Sequence, residues 1–222
     1  MYYYSTNESL DSIVKGLEPC HSDVIVAIGG SGDQAFALLE SAGEVIVVDH
    51  DAQQIDYILK RRRLLEEGRV TDFLGSENDV QIAKYLQKRA EKIRHRLNRM
   101  VVYDPVDVFD FLEQENGFSK VYLSNVFGCR NAGRSRNYES LGMIASKLPP
   151  GGLVYVADHG RTMEISPEFY PKDFISYWLS YCMGRELSGK LPQGMIIDQR
   201  RTALARFHER NNWDTAVYRK AA

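Results

Sequence analysis

A chain of 222 residues with 44% hydrophobic and 26% charged side chains has the size and composition of one globular domain able to bury a sizeable core. Its formal net charge of −2 is too small to imply a partner by itself. No apolar run reaches the length of a membrane span, and Met1-Tyr2-Tyr3-Tyr4-Ser5 lacks the basic and apolar regions of a secretory signal, so a cytoplasmic protein is expected. The three cysteines, Cys20, Cys129 and Cys182, and the five histidines are scattered without metal-ligand or C-x-x-C spacing. Neither a metal nor a disulfide is expected, and the cysteines read as small buried filler.

The first segment, Tyr2 to Glu18, reads as a short helix capped near Asn7 or Ser9, with Leu10, Ile13, Val14 and Leu17 on one face. Its leading tyrosines either cover a cofactor or cover an edge of the core. The stretch Val24 to Lys60 then organises the chain. An apolar run, Val24 to Ile28, breaks at Gly29-Gly30-Ser31-Gly32 and resumes with helical spacing through Ala35, Phe36, Leu38 and Leu39. A second β-branched run, Val45 to Val48, ends in Asp49-His50-Asp51. This is a β-α-β unit with a glycine turn after its first strand and an acid at the tip of its second.

Glycines at 29, 30 and 32 let a ligand approach the main chain closely, and the following helix directs its first N–H groups at that space. Asp49 stands where an acid takes a ribose hydroxyl pair, so an adenosine is the expected guest. Gly30-Ser31-Gly32-Asp33-Gln34-Ala35 satisfies the dinucleotide fingerprint G-x-G-x-x-G/A. Asp33, however, would place a carboxylate beside a pyrophosphate, whereas it suits the ammonium of an aminoacyl tail such as that of S-adenosylmethionine.

A helix is expected over Ala52 to Glu67, with the basic run Lys60 to Arg63 as a solvated face. Val80 to Met100 reads as one amphipathic helix within a basic helical insertion over residues 76–100. Its Ile82, Leu86, Ile93, Leu97 and Met100 lie opposite Lys84, Lys88, Lys92, Arg96 and Arg99. Such a surface either attracts anionic headgroups or phosphates, or is the outer face of an ordinary amphipathic helix. Met100 to Tyr103 reads as a third strand. The Asp104-Pro105-Val106 that follows it either meets an adenine or starts the helix Val106 to Gln114.

A fourth strand, Lys120 to Leu123, runs into a polar loop from Ser124 to Tyr138. There Arg130, Arg134 and Arg136 form a candidate clamp for an anionic substrate group, and Asn125 and Tyr138 are candidates to orient a nucleophile. Leu153 to Ala157 reads as a fifth strand, with His159 beyond it as a candidate general base. An aromatic helix is expected over Lys172 to Leu187. Thr202 to Arg219 reads as two strands around Asn211-Asn212, with a helix over Arg200 to Arg210 as the competing assignment.

This order of elements resembles the S-adenosylmethionine-dependent methyltransferase fold over nearly the whole chain. The expected architecture is α/β, a doubly wound, mostly parallel seven-stranded Rossmann-like sheet with a C-terminal antiparallel hairpin. One domain is expected over residues 1–222, with a helical N-terminal segment over residues 1–20. A narrower likeness lies in Val48-Asp49-His50-Asp51-Ala52-Gln53-Gln54, Tyr57-Ile58-Leu59-Lys60, Asp72-Phe73-Leu74-Gly75 and Val121-Tyr122-Leu123-Ser124-Asn125-Val126. These resemble the family of S-adenosylmethionine:diacylglycerol 3-amino-3-carboxypropyl transferases. Asp51-Ala52 departs from the Asn-Pro usual in that family.

The resemblance implies S-adenosylmethionine as cofactor. It implies that the turn Gly29, Gly30, Ser31 and Gly32 lies beside the methionine tail, with Asp49 at the ribose; Asp33, His50 and Gln54 are further candidates for binding the cofactor. It further implies Ser124 and Asn125 near the transferred group, whereas Asp104, Pro105 and Val106 are cofactor-binding candidates from their place beyond the third strand, where Asp104 would accept from an adenine amino group. The expected activity is methyl or 3-amino-3-carboxypropyl transfer to a small or lipid-like acceptor with an anionic group. Residues 80–100 are the expected contact with an anionic surface, and nucleic acid is not the expected partner. An NAD-dependent oxidoreductase and a non-catalytic nucleoside-binding module remain the alternatives.

Overall fold

The β-branched runs pair edge to edge into one sheet. In the computed structural model, which describes residues 4–75, 79–126, 133–158, 191–209 and 214–221, the strands are β1 (Val24–Ile28), β2 (Glu44–Val48), β3 (Met100–Val102), β4 (Lys120–Ser124), β5 (Leu153–Asp158), β6 (Met195–Ile197) and β7 (Asp214–Lys220). Their order across the sheet is β3-β2-β1-β4-β5-β7-β6. The first five are parallel, whereas β7 runs antiparallel to both β5 and β6. β1 is apolar along its whole length, and its neighbours β2 and β4 are apolar except at their ends, because helices cover both faces. Chain order moves outward from β1 through β2 to β3, then returns to place β4 on the other side of β1. That reversal opens a crevice at the carboxyl ends of β1 and β4.

One face of the sheet is covered by α1 (Leu10–Leu17), α2 (Asp33–Leu39), α3 (Ala52–Glu66), α4 (Val70–Leu74), α5 (Val80–Gln87), α6 (Ala90–Arg94) and α9 (Gln199–His208). The other is covered by α7 (Val108–Gln114) and α8 (Gly133–Lys147). The fit is close where α1 crosses β5: a methyl group on Gly16 would lie 2.7 Å from the Tyr155 ring. None of the described helices is long and apolar enough to cross a membrane.

Three expected elements differ. The single helix over 80–100 is broken into α5, α6 and a 3₁₀ turn, Leu97–Arg99, before β3 begins at Met100. Its apolar residues stay buried, but the segment bends around the C-terminus of α2, and its cations cap that helix. Arg89 and Lys92 each hold Glu40 at 2.9 Å, and Arg96 donates to Leu39 O at 2.8 Å and to Ala42 O. Secondly, α8 occupies part of the stretch read as a loop, from Gly133 onward.

Thirdly, the connection between the antiparallel strands β6 and β7 is a helix. The chain from Gln199 to His208 forms α9, capped by the Asp198 carboxylate on Arg201 N and seated against α1, so Thr202 to His208 is not strand. The turn residues Asn211-Asn212 lie outside the described residues, as does the expected helix over 172–187. Cys20 is an exposed free thiol rather than buried filler. The other two cysteines fall outside the described residues.

The opposite end of β1 is pinned by Asp23, which accepts from Cys20 N at 2.7 Å and Ser119 Oγ at 2.8 Å and pairs with Lys120 Nζ at 2.7 Å. Burial alone would raise the Asp23 carboxyl, but the hydrogen bonds from Lys120, Cys20 and Ser119 together hold it below the usual carboxylate range. A carboxylate depressed in the folded state adds stability that is complete above its unfolded value and is lost as the pH falls through its folded one. Asp23→Asn is therefore expected to lower the urea midpoint at pH 7, with the gap from wild type narrowing below about pH 4. A gap of constant size across urea titrations at pH 7 and pH 3 would contradict this role.

Candidate nucleoside-binding site

At the crevice between β1 and β4 lies a cavity of about 490 Å³. It is lined by the glycine turn, the ends of β2 and β4, the start of α7 and residues Ser5 to Glu8. The turn is shaped by two backbone requirements. Gly30 and Gly32 take φ of +47° and +83°, conformations that suit glycine. Gly29 allows close approach of the second strand: a methyl there would lie 3.0 Å from the Asp49 Cβ.

Asp49 is almost fully buried, and its carboxylate is fixed by backbone donors. Oδ2 accepts from Gly30 N at 2.8 Å and Oδ1 from Asp51 N at 3.0 Å. Gln54, on α3, donates from Nε2 to Gly30 O at 2.5 Å. Asp49 and Gln54 thus clamp the two ends of Gly30 and set the orientation of the turn. His50 lies at the mouth, its side chain 79% exposed, with Nδ1 3.5 Å from Asp49 Oδ1. Carboxylate lone pairs beyond those used by the backbone remain available to a hydroxyl pair.

Asp33 departs from expectation. Its carboxylate is not at the cavity but beneath the turn, fully buried, where Oδ1 pairs with Arg61 Nη1 at 2.8 Å and Oδ2 accepts from Thr6 N at 2.9 Å and Ser31 Oγ at 2.7 Å. It is thereby committed to holding the turn and the N-terminal segment, and cannot face a ligand's ammonium. Arg61, assigned from sequence to a solvated basic face, is 1% exposed. It also donates to Ser31 O at 2.7 Å and Phe73 O at 3.1 Å, and lies over the rings of Phe36, Tyr57 and Phe73. Gln34 Nε2 donates to Thr6 Oγ1 at 2.9 Å, which seats the N-terminal segment a second time.

The N-terminal segment also brings an acid to the cavity, Glu8, 1% exposed. Its Oε1 accepts from Tyr122 Oη at 2.7 Å and from Ser124 Oγ. Burial first, and then the Glu8 charge, push the Tyr122 phenol well above its ordinary range, and Tyr155 behind it likewise, so both remain protonated donors. Nothing in the local sequence marks Glu8. It precedes a helix, and its position depends on contacts with β4, more than a hundred residues away.

Of the candidate residues, Ser31, Asp49, His50, Gln54, Ser124 and Asn125 line the cavity with Gly30. Gly29 and Gly32 shape the turn without lining it. Asn125 takes φ of +56°, an uncommon conformation that asparagine tolerates, and its N–H donates to Ala157 O at 3.0 Å. Asp104 and Pro105 are exposed and do not line the cavity. Val106 contributes its N–H to Asp49 O at 2.9 Å, and the wall is formed instead by Asp107, Val108 and Phe109. Asp107 caps α7 by accepting from Phe109 N at 2.8 Å, a local signal that identifies the residue where the chain turns toward the cavity. Arg130 and His159 lie outside the described residues. Arg134, Arg136 and Tyr138 belong to α8, and their side chains are likewise outside the described set.

The electrostatic character of the cavity is one-sided. Glu8, Asp49, Asp51 and Asp107 line it, and among the described lining residues there is no lysine or arginine. Such a site favours a cationic or hydroxyl-bearing guest over an anionic one.

No protein-family model and no curated protein matches this sequence. Solved structures do match its fold. TrmN from Thermus thermophilus superimposes over 95% of this chain with a TM-score of 0.56 at 13% identity, and this chain spans about half (48%) of that protein's length. A conserved hypothetical protein of Streptococcus pyogenes matches over 89% of this chain and 86% of its own, with a TM-score of 0.50 at 10% identity. An rRNA methylase from Streptococcus thermophilus covers 95% of both chains with a TM-score of 0.49 at 13% identity. The fold is the Rossmann-like seven-stranded fold of class I S-adenosylmethionine-dependent methyltransferases.

Breaking the ion pair beneath the turn leaves a buried charge uncompensated. Arg61→Met is expected to lower stability by about 3–5 kcal/mol in denaturant unfolding. The double variant Arg61→Met with Asp33→Asn should recover part of that loss. If the two losses simply add, Arg61 and Asp33 do not act as a pair.

Proposed function

We propose that this chain is an S-adenosylmethionine-dependent transferase and that methyl transfer is its reaction. The observation that carries this reading is the acidic lining of the cavity. Four carboxylates and no lysine or arginine among the described residues oppose a pyrophosphate, which argues against a nicotinamide dinucleotide in spite of the glycine fingerprint. They suit a nucleoside that carries a sulfonium and an ammonium. The residues present fit that cofactor: Asp49 is placed for the ribose hydroxyls, and Val108 and Phe109 give an apolar wall for the base. At Gly30 a methyl group would meet only Gln34 Nε2, at 4.0 Å.

When bound, the cofactor supplies an electrophilic carbon whose leaving group is a neutral thioether. The protein's part is to orient and to exclude water. Asp49 and Gln54 fix the glycine turn on which the ligand rests. Ser5 to Glu8 line the cavity, and Ser124 and Asn125 stand at the β4 end, where an acceptor would approach.

A second reading is 3-amino-3-carboxypropyl transfer. It is supported by the convergence of Asp49, Gln54, Ser124 and Asn125, the positions that carry the resemblance to the aminocarboxypropyl transferases, on one cavity. In either reading the acceptor is a small or lipid-like molecule with an anionic group, met by Arg130, Arg134 and Arg136. That assignment rests on the sequence alone.

Incubation with S-adenosylmethionine and a cell extract, followed by mass spectrometry of the nucleosides, separates the readings. S-Adenosylhomocysteine is the expected product, methylthioadenosine would favour the second reading, and turnover of neither would remove the transferase assignment. Asp49→Ala should weaken S-adenosylmethionine binding by about tenfold to a hundredfold, the equivalent of losing hydrogen bonds to a charged acceptor.

A further inference from the structure

The order of groups across the cavity follows the order of strands. Asp107 and Phe109 lie beyond β3, Asp49 at the end of β2, Gly30 at the end of β1, and Ser124 and Asn125 at the end of β4. From β3 to β4 is three strand spacings, roughly 14 Å, a span suited to an extended nucleoside with a tail. With the base against Phe109 and the ribose at Asp49, the tail lies over β1 and β4. Glu8 is anchored there, by Tyr122 and Ser124 of β4.

We propose that Glu8 is the recognition residue for the α-ammonium of the cofactor's amino-acid tail and so fixes which way the tail lies. This rests on the S-adenosylmethionine reading and extends it to a residue that no sequence motif marks. Three observations carry it. Glu8 is 1% exposed yet lines the cavity, so its charge acts where little water screens it. Of the other two acids at the turn, Asp33 is already engaged by Arg61 and Thr6, and Asp49 is held by Gly30 N and Asp51 N on the ribose side. The carboxylate of the same tail is repelled by Glu8, so one acid selects between the tail's two ends.

The placement also explains the hydrogen bonds around Glu8. Tyr122 and Ser124 both donate to Oε1, fixing the carboxylate's position at the β4 end of the cavity. The segment that carries Glu8 is held in turn by Thr6, whose N–H donates to Asp33 and whose Oγ1 accepts from Gln34 and from Glu8 N at 3.1 Å. The N-terminal residues thereby act as a positioned part of the site and not as a loose cover.

The test is a binding cycle read by titration calorimetry, without turnover. Wild type and Glu8→Gln are each titrated with S-adenosylmethionine and with its deaminated analogue, in which hydrogen replaces the α-ammonium. Removing the ammonium should weaken binding to wild type by about tenfold or more, and to Glu8→Gln by less than about threefold. Equal losses in the two proteins would assign the ammonium to another group and overturn the proposal. Equal weakening of both ligands by Glu8→Gln would reduce Glu8 to a structural role and overturn it as well. Should the variant fail to fold, an ammonium effect below about threefold in wild type alone is sufficient to reject the assignment. If wild type binds neither ligand, the cofactor reading itself falls, and this assignment with it.

Discussion

The ion pair between Asp33 and Arg61 is the constraint on which the rest of the site depends. It joins four parts of the chain at one point: the start of α2, the middle of α3, the carbonyl at Phe73 and the N-terminal residue Thr6. Both side chains are withdrawn from water, which costs several kcal/mol per ion in the absence of compensation. The compensation is specific. The guanidinium reaches two carbonyls and three aromatic faces, and the carboxylate takes a hydroxyl and a backbone N–H. A glycine turn with positive φ values has little stiffness of its own, and this support from below supplies it.

The charge of the cavity is a consequence. Asp33 spends its charge on Arg61 beneath the turn, so the acids that face a ligand are those delivered by other elements. Asp49 comes from β2, Asp107 from the cap of α7 and Glu8 from the N-terminal segment. Asp33 is thus not the carboxylate that a pyrophosphate would meet; Glu8, Asp49, Asp51 and Asp107 are.

What the sequence made legible was local. The run Val24–Ile28, the glycines after it and Asp49 after β2 read directly as β-α-β, because each signal falls within a few residues of the structure it specifies. Residues whose role depends on distant contacts were not legible. Arg61 sits in a run of four basic residues; its spacing from Ile58, Leu64 and Leu65 puts it on the buried face of α3, but the acid that makes burial of a guanidinium tolerable, Asp33, lies on another helix. The segment 80–100 keeps helical spacing of its apolar residues but bends, since Arg89, Lys92 and Arg96 must reach the C-terminus of α2. In α9 the apolar face is as narrow as Thr202 and Ala205, so strand and helix competed on nearly equal terms. Asp198, which caps α9 by accepting from Arg201 N at 3.0 Å, is a local signal for the helix that the strand reading of this stretch does not take into account.

The central claim is that this cavity takes a cationic nucleoside and rejects a dinucleotide. Parallel calorimetric titrations of the protein with S-adenosylmethionine and with NADH test it most directly. Saturable binding of S-adenosylmethionine, weakening as salt is raised, with no heat from NADH, is the predicted result. Saturable binding of NADH with no response to S-adenosylmethionine would contradict it.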